Sequence, residues 1–137
     1  MDVSTNLAVR ELLARASYAL DVRDMDMLEG CFVPDAILEL AIEGAPEDLR
    51  FEGRDSIMGL MRQAAEEQTD VRRHVTTNVF FLSDSQDRVE VVSNLTLTAV
   101  EGGEIRLICS GYYKDEVALE SGEWRLARRR IELDLPY

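Results

Sequence analysis

With 137 residues, 46% of them apolar and 31% charged, and only three prolines, the chain can bury one sizeable core and lacks the composition of a disordered segment. A formal charge of -12 excludes the broad positive footprint of a nucleic-acid binder, and no apolar run approaches the roughly 20 residues of a membrane-spanning helix. One histidine and two cysteines far apart, Cys31 and Cys109, leave no N/S ligand set for zinc; with no secretory leader, they predict reduced thiols in a cytoplasmic protein. This count does not bear on a hard-metal site built from carboxylates alone.

In chain order, residues 5 to 21 carry Leu7, Val9, Leu12, Leu13, Ala16 and Leu20 at mixed spacings of three and four, which predicts an amphipathic helix capped by Thr5 or Asn6. A shorter helix over 24 to 31 follows with Asp24 as its cap, and Val33-Pro34-Asp35 breaks it. Residues 36 to 43, AILELAIE, read as a strand. RFEG at 50 to 53 reads as a short returning strand, and 54 to 68 as a third helix burying Ile57, Leu60, Met61 and Ala64. From residue 72 the period is two, giving strands over 72 to 83, 87 to 100, 104 to 118 and 122 to 134 with hairpin connectors between them. Helices first and a long antiparallel meander second predict an α+β fold in one domain over 1–137.

Three motifs in this frame carry a resemblance. Arg73-His74-Val75-Thr76-Thr77-Asn78 opens the first long strand; Gly111-Tyr112-Tyr113-Lys114-Asp115 lies on the next to last; Gly122-Glu123-Trp124-Arg125-Leu126-Ala127-Arg128-Arg129 lies on the last. Together they resemble the SnoaL-like branch of the nuclear-transport-factor-2-like superfamily over essentially the whole chain. The resemblance implies a cone: a strongly curved, mostly antiparallel sheet wrapped around three helices, with a blind pocket inside. Members such as hexachlorocyclohexane dehydrochlorinase and scytalone dehydratase pair a strand histidine with an aspartate at the end of the first helix, positions held here by His74 and Asp21. The dehydrochlorinase also uses an arginine at the position of Arg129, and a first-helix lysine where this chain has Ala16, which argues against halide elimination. Ring-hydroxylating dioxygenase β subunits keep a similar motif without catalysis.

The chemistry of these residues is consistent with a base. An imidazole titrates near neutral pH, and a carboxylate on one ring nitrogen fixes its tautomer and stabilises the imidazolium. The competing reading of His74 is a hydrogen-bonded structural histidine. Arg129 is a candidate oxyanion stabiliser if its strand face points inward with Ala127 and Ile131; the alternative is a buried ion pair. Tyr18 and Tyr113 are candidate substrate hydrogen-bonders or core residues, and Thr76 and Asn78 share the His74 face. Met58 and Met61 are candidates for pocket lining or core. Arg72 and Arg73 are expected at the surface, or paired with Glu66, Glu67 or Asp70. The resulting expectation is a cofactor-independent dehydratase acting on a small, largely apolar, carbonyl-bearing or polycyclic substrate. An isomerase or cyclase using the same pocket, or a non-catalytic binding subunit, are the alternatives. By resemblance a homodimer or homotrimer is expected, associating through a convex sheet face on which Val89, Val91, Leu95 and Leu97 supply apolar surface.

Overall fold

Asp2 begins the first helix: its Oδ1 accepts the Thr5 N–H at 2.7 Å and satisfies one of the donors left open in the first turn. In the computed structural model, which describes residues 1–136, this helix α1 spans Val3–Val22, so the expected caps Thr5 and Asn6 lie inside its first turn. It buries Val9, Leu12, Leu13, Ala16 and Ala19, while Leu7 stays exposed. Arg23 ends it in the left-handed region, φ 57°, and its N–H returns to the carbonyls of Ala19 and Leu20. Helix α2, Met25–Glu29, is capped by Asp24 as its sequence predicts.

Strand β1 spans Phe32–Ile42 and begins earlier than the Val33-Pro34-Asp35 turn reading allows. Pro34 is tolerated because the ladder with the last strand is irregular between Phe32 and Ile37, where a missing N–H costs no regular pairing. After β2, Leu49–Glu52, and α3, Arg54–Glu67, the chain forms a meander of β3, Val71–Asp84; β4, Arg88–Glu101; β5, Glu104–Glu120; and β6, Glu123–Leu133. The sheet order is β2-β1-β6-β5-β4-β3, with β1 and β6 parallel and the other pairs antiparallel. Three helices thus lie against one face of a curved, open six-stranded sheet, which is the α+β arrangement the sequence predicts.

Val89, Val91, Leu95 and Leu97 occupy the helix-covered face and are at most 4% exposed. The expected use of these four residues for subunit association is therefore wrong. Their strand parity puts them inward with Ser93, and the outer face carries their neighbours Val92, Asn94, Thr96 and Thr98.

The interior is layered. A main core of α1, α2, α3, Phe32, Val91, Val117 and Leu126 fills one end, and a second cluster of Leu95, Leu97, Cys109, Tyr113 and Leu133 lines the other. Between them along the strands sit buried polar residues, Ser93, Asp115 and Arg129. Among the described residues no helix is long and apolar enough to cross a membrane.

Candidate active site

Helix α1 lies along β3 in the opposite direction, and the two repeats nearly match. Four helical residues rise about 6 Å and two strand residues about 6.7 Å, so side chains at i and i+4 on α1 meet every second residue of β3. Ser17 Oγ lies 2.8 Å from Thr76 Oγ1, and one step along Asp21 meets His74. Asp21 Oδ1 accepts the main-chain N–H of His74 at 2.9 Å and lies 2.7 Å from its Nδ1. With the carboxylate ionised, Nδ1 carries the proton and Nε2 is left as the accepting nitrogen. Both side chains are largely buried, 17% and 9% exposed.

His74 and Asp21 lie on the wall of a cavity of about 180 Å³, on the order of what encloses one or two rings. The wall is mostly hydrocarbon, from residues such as Leu38, Leu60, Met61, Leu95 and Leu97, with Tyr113, Cys109, Arg23, Gln68 and Arg72 as its other polar members. This is the composition of a ligand site: an apolar enclosure with a few convergent polar groups, one of them an imidazole hydrogen-bonded to a carboxylate. Burial pushes the Cys109 thiol above its usual pKa, so it sits there as the neutral thiol at physiological pH.

A SnoaL-like domain family model matches residues 1–130. The chain belongs to the SnoaL-like family. That family includes polyketide cyclases and dehydratases. No curated protein matches the chain significantly. Among solved structures it is similar to Rv3472 of Mycobacterium tuberculosis, a protein of unknown function: 25% identity over 95% of this chain and 72% of that one, TM-score 0.82. The β subunit of a putative aromatic-ring-hydroxylating dioxygenase from Novosphingobium aromaticivorans superposes with a TM-score of 0.85 at 18% identity, covering 99% and 94% of the two chains. A Catenulispora acidiphila protein solved in complex with S-DNPA gives a TM-score of 0.81 at 20% identity, covering 96% and 95%. At these identities the last two likenesses concern the fold.

Within this SnoaL-like fold the remaining candidates divide. Tyr113 and Met61 lie on the cavity wall. Met58 is buried in the main core, 2% exposed, one turn before Met61 on α3, and is not part of the cavity wall. Tyr18 is 57% exposed on the outer side of α1, because the face toward β3 belongs to Ser17 and Asp21. Thr76 points inward, but its hydroxyl is taken by Ser17 and it is not part of the wall. Asn78 is exposed, in the left-handed region at φ 56°, where the β3–β4 register shifts between Thr77 and Phe80. That bulge reverses the strand's parity, so Val79 and Phe81 pack inward and Phe80 lies outside.

Arg129 faces inward as expected but does not reach the cavity. Its Nε and Nη2 bond Asp115 Oδ1 and Oδ2 at 2.9 and 3.0 Å, and both residues are at most 3% exposed. Burial works against the guanidinium charge, but the Asp115 carboxylate outweighs it and raises the Arg129 pKa, so this cation is permanent. Its Cζ lies 3.8 Å from the centroid of the Tyr113 ring. The residue expected to touch an oxyanion is thus a buried ion pair that supports a tyrosine from behind. Arg128 and Arg130 face outward and pair with Glu39, Asp48 and Glu132, as the strand phase predicts. Arg72 pairs with Asp70, one of the partners expected for it, but its place on the cavity wall, like the role of Ser17, escaped the sequence reading. Ser17 is four residues from Asp21 on the same helical stripe, and Arg72 shares the parity of His74; both spacings carried the signal.

Proposed function

We propose that residues 1–137 act as one SnoaL-like domain and that its cavity removes a carbon-bound proton from a small, largely apolar, carbonyl-bearing substrate, without a cofactor, most simply as a dehydratase. The observation that carries this reading is the 2.7 Å contact between His74 Nδ1 and Asp21 Oδ1 on the wall of an apolar cavity. His74 Nε2 takes the proton next to the substrate carbonyl, and Asp21 stabilises the imidazolium that forms. The Tyr113 phenol donates to the oxygen on which enolate charge develops, held in place by Arg129 against its ring. The imidazolium then returns its proton to a departing β-hydroxyl, which leaves as water as the carbon–carbon double bond forms. Isomerisation returns the same proton to a different carbon, and cyclisation uses the enolate as a nucleophile; the same groups serve each.

Proton abstraction is measurable without the natural substrate. Deuterium uptake at the acidic carbon of a cyclic ketone such as 2-tetralone, followed by NMR, is expected to run faster with wild-type protein than with buffer. His74→Gln should lose the acceleration and Asp21→Asn should reduce it by about 10²–10⁴ fold. Equal uptake in wild type and both variants would sink the dyad.

The likeness to a dioxygenase β subunit favours one second reading, a non-catalytic partner subunit whose cavity only binds. Ligand binding without any proton exchange, unchanged by His74→Gln, selects it. In either case association as a homodimer or homotrimer is expected, and sedimentation equilibrium gives the number.

A further inference from the structure

Two arginines reach a cavity that is mostly hydrocarbon and belongs to a chain of net charge -12. Arg72 is two residues before His74 on the same face of β3, and its side chain is 17% exposed. It is oriented from the far side by Asp70, whose Oδ1 accepts its Nε–H at 2.8 Å and whose Oδ2 lies 3.5 Å from Nη2; Asp70 is not part of the cavity wall. Arg23, exposed at the end of α1, donates through Nη2 to the main-chain carbonyls of Gln68 and Asp70 at 3.1 and 2.8 Å. These acceptors are neutral, so the bonds fix the guanidinium without cancelling its charge. Arg23 is the exposed member of the wall and marks its open end, and its bonds to the main chain of Gln68 and Asp70 bring Gln68 and Arg72 to the same end. Asp21, the wall's one carboxylate, is committed to His74.

The local charge balance selects the ligand. Arg72 is paired with the Asp70 carboxylate, whereas Arg23 bonds neutral main-chain carbonyls. Of the two guanidinium groups on the wall, one is thus set against a carboxylate and one against neutral acceptors, which suits a monoanion better than a phosphate dianion. Low-dielectric walls around such a rim concentrate the field on an entering anion.

We propose that the cavity takes a carboxylate-bearing ring compound, its carboxylate against Arg72 and Arg23 at the rim and its ring in the apolar interior, with the reacting carbon about 7 Å further in, at His74. The placement of the reacting carbon rests on the dyad reading above; the carboxylate site does not.

The test compares acids with their neutral amides of the same shape: 2-naphthoate against 2-naphthamide, and benzoate against benzamide. Binding is measured by calorimetry at low salt, and the ring signals of the single histidine report occupancy of the cavity. The acids are expected to bind at least about tenfold tighter than the amides. Arg72→Met should shrink that preference while leaving amide affinity within about twofold, Arg23→Gln should shrink it less, and salt should weaken the acids selectively. Equal binding of acid and amide, tighter binding of the amide, a preference untouched by Arg72→Met, or no binding of either pair at millimolar concentration would each overturn the proposal. If Arg72→Met does not fold, the acid-to-amide ratio and its salt dependence in wild type still decide. Loss of deuterium uptake in His74→Gln with the acid preference intact separates the dyad from the carboxylate site, and the reverse pattern separates them equally.

Discussion

At the scale of single residues, the interior polar groups have different tasks although the sequence presents them alike. Asp21 and Asp115 each hold one basic partner, but Asp21 orients an imidazole on a cavity wall and Asp115 neutralises a guanidinium in the core. Breaking the second pair from one side leaves a buried, unpaired charge. Arg129→Met is expected to lower stability by about 3–5 kcal/mol in urea unfolding, and adding Asp115→Leu should recover most of it, because a well-packed apolar pair replaces a buried ion pair at little cost. A single variant no less stable than wild type would contradict this. Some of this layout was legible beforehand. His74 and Asp21 came from motif positions in a resemblance, and the inward face of Arg129 came from its phase with Ile131. The Asp115 partner was not legible, since cross-strand register depends on the irregularity between Glu116 and Val117. Arg72 was expected at the surface or paired with a nearby carboxylate, and it does pair with Asp70; for its place on the cavity wall, the parity shared with His74 was the guide.

At the scale of elements, periodicity gave the helices and strands, because an amphipathic helix and a half-buried strand differ plainly in period. Bulges were not legible. The one in β3 turns on Asn78 in the left-handed region, a conformation that asparagine tolerates and that no pattern of apolar residues announces. Asn78→Gly should therefore fold as well as wild type, whereas Asn78→Val should be clearly destabilised in thermal melts. Gly111 is held by a different constraint: a Cβ there would overlap the Glu132 carbonyl oxygen of β6. Gly111→Ala is expected to cost about 1–3 kcal/mol, by urea unfolding, through forced separation of β5 and β6. The loop between α3 and β3 adds a pH dependence. The hydrogen bond from Arg72, with the nearby arginine charges, holds the Asp70 carboxyl below its usual range. The folded state therefore releases that proton more readily than the unfolded chain. Its stabilisation is complete above about pH 4 and is lost as pH falls through the folded value. The difference in Tm between wild type and Asp70→Asn should accordingly be largest near pH 6 and shrink as the pH falls through the folded value; a constant difference would contradict the assignment.

At the scale of the molecule, the curved sheet explains why a helix end and a strand start, more than fifty positions apart, build one site. The sheet brings β3, β4 and β5 side by side, so His74, Leu97 and Cys109 stand in one row across three strands. Helix α1 closes the row from the β3 side, and α3 covers it with Leu60, Met61 and Ala64. Curvature leaves the space between rows unfilled, and that space is the cavity. The overall arrangement was legible from element order alone, but the inner and outer faces of β4 were assigned the wrong way round, because both hold residues that suit a strand and only the docked helices decide between them. The central claim concerns the state of one ring in this enclosure. With a single histidine in the chain, ¹⁵N labelling gives an unambiguous NMR signal. Neutral His74 is expected as the Nδ1–H tautomer with Nε2 unprotonated, and Asp21→Asn should remove that preference. A neutral ring protonated at Nε2 in the wild-type protein, or a tautomer balance indifferent to Asp21, would contradict the account.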